Sequence, residues 1–156
     1  MILKKDEQLM RLALAEAKEA GRMGEVPVGA VIVDGSGRVL STGRNLRESA
    51  QDPTHHAEII AIREAARALG SWRLEGTTIY VTLEPCMMCM GAIISARIGR
   101  LVFGARDPKA GAVVSVMNPG DYENLNHRVE WREGVLEEES SSLLREFFRT
   151  LRTKDM

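Results

Sequence analysis

The chain has 156 residues, 44% of them apolar and 28% charged, with a formal net charge of −1. Those proportions exclude a disordered segment and a surface that is cationic throughout, while local basic patches stay compatible with them. The length suits one domain, 1–156, that buries about two-thirds of its unfolded surface without needing a disulfide or metal merely to form a core.

The N-terminal Met1-Ile2-Leu3-Lys4-Lys5-Asp6 passes into an acid-rich amphipathic pattern with no apolar core of a secretory signal. No stretch reaches the roughly 18 uncharged apolar residues of a membrane span. From Lys5 to Arg22, the apolar Leu9, Met10, Leu12, Ala13, Leu14, Ala17 and Ala20 recur near 3.6-residue spacing, which predicts an amphipathic helix ended by a turn at Gly24. Val28 to Val33 is a β-branched run, and Asp34-Gly35-Ser36-Gly37 supplies hairpin chemistry before a second strand from Val39 to Gly43. Helical spacing returns from Ala57 to Leu69, with Gly70 as the stop. Thr77 to Leu83 reads as a strand, and Pro85 opens a helix that runs to about Ala96. Arg100 to Gly104 is another strand, and Ser142 to Leu151 a closing helix. Residues 106–127 form the least regular stretch, a loop with at most short strand content. The alternation predicts an α/β protein with a mixed sheet covered by helices.

The chemistry concentrates in His56-Ala57-Glu58 and Pro85-Cys86-Met87-Met88-Cys89. His56, Cys86 and Cys89 supply three metal ligands of the kinds zinc prefers, and these are the chain's only two cysteines. Structural zinc sites use four protein ligands, whereas catalytic ones use three and leave a place for water. Glu58 lies two residues from His56, close enough to reach that water without being a ligand. Both ligand groups fall at helix starts, where the positive end of the helix dipole lowers thiol pKa, and the three-residue offset puts both cysteines on one face. Alternatives remain: a redox pair, or a structural site closed by His55 or His127. A C-x-x-C pair in a chain without a signal also points to the cytoplasm.

The order H-x-E followed by P-C-x-x-C is the pattern of zinc nucleobase deaminases. Further segments extend the resemblance over almost the whole chain: Glu25 to Ala30, Asp52-Pro53-Thr54, Tyr80 to Cys86, Ala96-Arg97-Ile98, Val102 to Ala105, Leu125 to Val129 and Phe147-Phe148-Arg149. On these the chain resembles the bacterial tRNA-specific adenosine deaminases of the cytidine deaminase-like superfamily, and the last two segments resemble that branch in particular. His55 departs from it, standing where a small residue is usual.

The resemblance implies one zinc deaminase domain of the cytidine deaminase (CMP/dCMP) type, a three-layer αβα sandwich around a mixed five-stranded sheet. It implies one zinc per subunit, a homodimer, and a tRNA anticodon stem-loop as substrate. Zinc-bound hydroxide would attack C6 of the wobble adenine with Glu58 as proton shuttle, leaving inosine. Asn45 would hold the flipped nucleotide, and Val28 and Ala30 would line the base pocket. Asp107 and Lys109 would lie near the substrate backbone, and Phe148, Arg149 and Arg152 would meet the RNA. The plainer readings are a turn asparagine, core aliphatics, a turn aspartate and solvated arginines. Two other functions stay open: deamination of a free base or nucleoside such as guanine or cytosine, and a nonenzymatic RNA-binding subunit, which would not need Glu58. The apolar Met87, Met88, Met90, Ile93 and Ile94 fit either a dimer interface or the monomer's own core.

Overall fold

The computed structural model describes residues 4–118, 125 and 127–154. Its elements run α1 (Lys4–Arg22), β1 (Gly29–Val33), β2 (Val39–Arg44), a one-turn α2 (Arg47–Ala50), α3 (Ala57–Leu69), β3 (Thr78–Leu83), α4 (Met87–Ser95), β4 (Arg100–Ala105), β5 (Glu130–Arg132) and α5 (Glu137–Lys154). The five strands form one sheet in the order β2-β1-β3-β4-β5. β1 is antiparallel to β2 and β3, while β3, β4 and β5 run parallel. This is the mixed αβα sandwich that the resemblance implied.

Alternating side chains give the sheet two apolar faces. Ala30, Ile32, Ile79, Val81, Leu101 and Phe103 pack with residues of α3 and α4. Val31, Val33, Tyr80 and Val102 pack with Leu9, Met10, Ala13 and Leu14 of α1, with Leu143 of α5 at the edge. Two glycines let helices press onto strands. A β-carbon on Gly29 would collide with the α1 backbone at Ala13 and Ala17, and one on Gly43 with the α3 backbone at Ala57.

The hairpin forms at Asp34–Gly37, where the Asp34 carboxylate accepts the Ser36 and Arg38 amides. Gly70 ends α3 at φ 65°, as expected of a left-handed stop. Three details differ from the sequence reading. β5 lies just beyond the irregular stretch, and α2 is a single turn with no apolar period of its own. α5 begins at Glu137 rather than Ser142, because its first turn is the acidic Glu137-Glu138-Glu139, which favours a helix N-terminus but carries no apolar signal.

Candidate active site

The sheet brings the ends of β1 and β3 together, and the two helices that leave this edge start at the site. His56 is the N-cap of α3 and Cys86 the N-cap of α4, both with extended backbone and neither making a side-chain capping bond. Cys86 therefore stands just before the helix, not in its first turn as expected, while Cys89 falls at the third helical position. The N-cap and third-position side chains of a helix face each other, so both sulfurs point one way. Cys86 Sγ lies 3.7 Å and Cys89 Sγ 3.5 Å from His56 Nδ1. The three donor atoms fall within 4.8 Å of one another, and no other group of three or more such donors occurs among the described residues.

The alternative fourth ligands are engaged elsewhere. His55 Nδ1 is 3.0 Å from Asp52 Oδ2, and His127 Nε2 donates to the Ile98 carbonyl at 2.7 Å. An open three-donor set of one imidazole and two thiols fits a metal of the zinc class that keeps a free coordination position.

Electrostatics agree with that donor set. The Cys89 contact draws the Cys86 thiol down to about 4, burial works against it, and His56 adds to the lowering. The same contact and burial push the Cys89 thiol up. His56 is raised, chiefly by Cys86. Glu58, at the second position of α3, is 4% exposed, and burial pushes its carboxyl up to about 7. A cation beside it would draw that value back down.

These groups open into a cavity of about 240 Å3 whose wall includes Val26, Val28, Asn45, Arg47, Leu83, Glu84, Asp107 and Ala110. Asn45 is on the wall with its amide committed: it donates to the Val26 carbonyl at 3.2 Å and accepts the Arg47 amide at 3.1 Å. Val28 is on the wall, whereas Ala30, one step further along β1 on the same face, is fully buried in the core behind it. Asp107 is both wall and turn former, its Oδ1 accepting the amides of Lys109 and Ala110 at 3.1 and 3.3 Å.

Lys109 does not reach this cavity. It lines a separate groove of about 720 Å3 along α5 with Leu144, Arg145, Phe148, Arg149 and Arg152. Phe148 is 42% exposed and meets Phe147 edge-on. Arg149 pairs with Glu146, Arg106 with Glu133 at 2.7 Å, and Arg44 with Glu16 at 2.9 Å. On α4, Met90, Ile93 and Ile94 belong to the monomer core, while Met87 points outward at 66% exposed.

Two buried carboxylates escaped the sequence reading as site-builders. Glu25 Oε1 accepts the Glu48 amide at 3.0 Å, and its Oε2 accepts the Ser49 amide and hydroxyl at 2.6 and 2.5 Å, which anchors α2 beside Asn45. Glu84 accepts the amides of Asp107, Val113, Val114 and Ser115, which anchors the loop after β4. Their sequence signals are a charge set at the border of an apolar segment and a place in two of the segments that carry the resemblance, neither of which names a role.

A family model for MafB19-like deaminases matches residues 4–152. The chain is 51% identical over 149 residues to the tRNA-specific adenosine deaminase of Bacillus subtilis, covering 96% of this chain and 92% of that protein. It is 50% identical over 147 residues to the tRNA-specific adenosine deaminase of Haemophilus influenzae, covering 94% and 85%. The chain belongs to the tRNA-specific adenosine deaminase family. A solved structure from work on A-to-I editing by tRNA:A34 deaminases superposes with a TM-score of 0.84 at 47% identity, over 88% of this chain and 99% of that one. A guanine deaminase from Nitrosomonas europaea shares the fold, with a TM-score of 0.80 at 24% identity, over 94% of this chain and 86% of that one. The cavity is the one place among the described residues where a possible metal cluster and a buried carboxylate meet. Among the described residues no helix is long and apolar enough to cross a membrane.

Proposed function

We propose that the protein is a cytoplasmic, homodimeric enzyme that hydrolytically deaminates adenosine to inosine at the wobble position of a tRNA anticodon loop. The observation that carries the reading is the burial of Glu58 in the same cavity as the open donor set of His56, Cys86 and Cys89, in a chain of this family.

His56 Nδ1 and the two sulfurs would hold one zinc ion per subunit. When bound there, zinc supplies the Lewis acidity that makes water nucleophilic at neutral pH. Glu58 would accept one proton from the attacking water and pass it to N1 of the adenine as C6 is attacked, then take the second proton from the hydroxyl added at C6 and deliver it to the departing amino group, so that ammonia leaves and inosine remains. One carboxyl serves as base and acid in turn, and its burial at the cavity wall keeps bulk water from taking over either transfer. Val28, Leu83 and Ala110 give the base apolar walls that exclude bulk water, and Asn45 and Asp107 border the entrance.

A stacked base presents no access to C6, so the nucleotide must be splayed out of a single-stranded loop. Lys109, Arg145, Arg149 and Arg152 offer phosphate contacts along α5, and Phe148 a stacking face. Incubation with an anticodon stem-loop and, separately, with free adenosine, cytidine and guanine tests the reading by release of ammonia and appearance of inosine. Turnover of a free base with none on the stem-loop would overturn it.

A further inference from the structure

We infer that Glu84 is the positioning residue that aligns the catalytic cavity with the α5 groove, by fixing the loop that forms the wall between them. The inference rests on the proposed function and deepens it, because it names what holds the RNA strand in register with the donor set.

Glu84 follows the last residue of β3, stands two residues before Cys86 and is 2% exposed. Its Oε1 accepts the Asp107 amide at 3.0 Å and the Ser115 hydroxyl at 2.5 Å. Its Oε2 accepts the amides of Val113 at 3.0 Å, Val114 at 2.7 Å and Ser115 at 3.0 Å. All five donors belong to one loop. The backbone comes so close that a β-carbon on Gly111 would collide with the carboxylate. The same stretch is tied to the start of α4 by the Ala112 amide on the Pro85 carbonyl at 2.8 Å and by a bridge between Gly111 and Cys86.

What this loop carries distinguishes the clamp from an ordinary anchor. Asp107 and Ala110 line the cavity that holds His56 and Glu58, whereas Lys109, between them, lines the groove with Phe148 and Arg149. A shift at Asp107 therefore moves both walls together. Glu84 has no part in proton transfer in this scheme. Its effect is on where the strand lies before and during the reaction alike. Loss of contacts made equally in ground and transition states raises KM and leaves kcat in place, whereas loss of folded protein lowers kcat at constant KM.

The experiment measures kcat and KM separately on an anticodon stem-loop, with zinc per chain determined in parallel, for the wild-type holoenzyme, Glu84→Gln and Ser115→Ala. Glu84→Gln keeps the size but sets an NH2 where one oxygen accepted loop donors, so KM rises about tenfold, the worth of one charge-assisted bond, with kcat and zinc content retained. Ser115→Ala removes one hydroxyl donor and leaves four amides on the carboxylate; KM rises about threefold. Should Glu84→Gln fail to fold, Ser115→Ala decides on the same readout. Unchanged KM in the variants that fold, or a fall in kcat alone, overturns the inference. A wild-type enzyme inert on the stem-loop overturns the proposed function instead, and the inference falls with it.

Discussion

Asp6 and Arg100, 94 positions apart in sequence, form a two-pronged ion pair: Arg100 Nη1 donates to Asp6 Oδ1 at 2.9 Å and Nη2 to Oδ2 at 2.8 Å. The Tyr80 hydroxyl adds a third bond to Oδ1 at 2.7 Å. The cluster joins α1 to β3 and β4, and burial followed by the Asp6 contact keeps the Tyr80 phenol protonated. Asp6 is 1% exposed, so Asp6→Ala leaves Arg100 and Tyr80 with unmet donors. Removing one partner of such a pair costs about 3 kcal/mol. Denaturant unfolding should show that loss, while Arg149→Ala, which breaks only the exposed pair with Glu146, stays within about 0.5 kcal/mol.

Stability should fall in acid partly through Glu25. Burial opposes its ionisation, but the Ser49 hydroxyl, the Glu48 and Ser49 amides and Arg47 together hold its carboxyl below the usual range. A depressed folded pKa stabilises the native state above the unfolded value of about 4.3, and the gain disappears as pH falls through the folded value. Wild type should therefore be more stable than Glu25→Gln at pH 7, and the two should converge in acid. Thermal unfolding from neutral pH to about 3 checks this; a gap that widens in acid would contradict it.

The metal set predicts a sharp compositional result. Cys89→Ser and His56→Ala should lower zinc from about one per chain to a small fraction of that, because two protein donors hold zinc poorly. Glu58→Ala should keep its full complement. Metal analysis after dialysis decides, and undiminished zinc in Cys89→Ser would remove that thiol from the ligand set.

RNA affinity should depend on α5 in two distinguishable ways. Arg152→Ala and Lys109→Ala should weaken stem-loop binding and each reduce the slope of log affinity against log salt by about one, as loss of a phosphate contact does. Phe148→Ala should weaken binding by about 1–3 kcal/mol with the salt slope unchanged, as loss of stacking does. Fluorescence anisotropy over a salt series separates the cases.

Much of this site was legible because its signals are local. The spacing of His56, Glu58, Cys86 and Cys89 places ligands and shuttle at two helix starts, and Asp34–Gly37 and Gly70 mark a hairpin and a helix stop by their own conformational preferences. β5 was not legible: three residues at a sheet edge carry no period, and what makes them a strand is pairing with β4. Glu84 and Glu25 stood in segments that carry the resemblance but showed no role of their own, since the donors that satisfy them lie 23 to 31 positions away. Ala30 illustrates the converse, because the resemblance set it beside Val28 on the pocket wall while its depth, in the core behind Val28, depended on how α3 and α4 close over β1.

The most direct test follows inosine formation on an anticodon stem-loop with adenosine at the wobble position, comparing the zinc-loaded wild-type protein with Glu58→Ala. The wild type should convert the wobble adenosine and spare the other adenosines, and Glu58→Ala should be slower by at least about a hundredfold at equal zinc content. A wild-type protein that leaves the stem-loop unchanged, or a Glu58→Ala variant that retains the wild-type rate, would contradict the account.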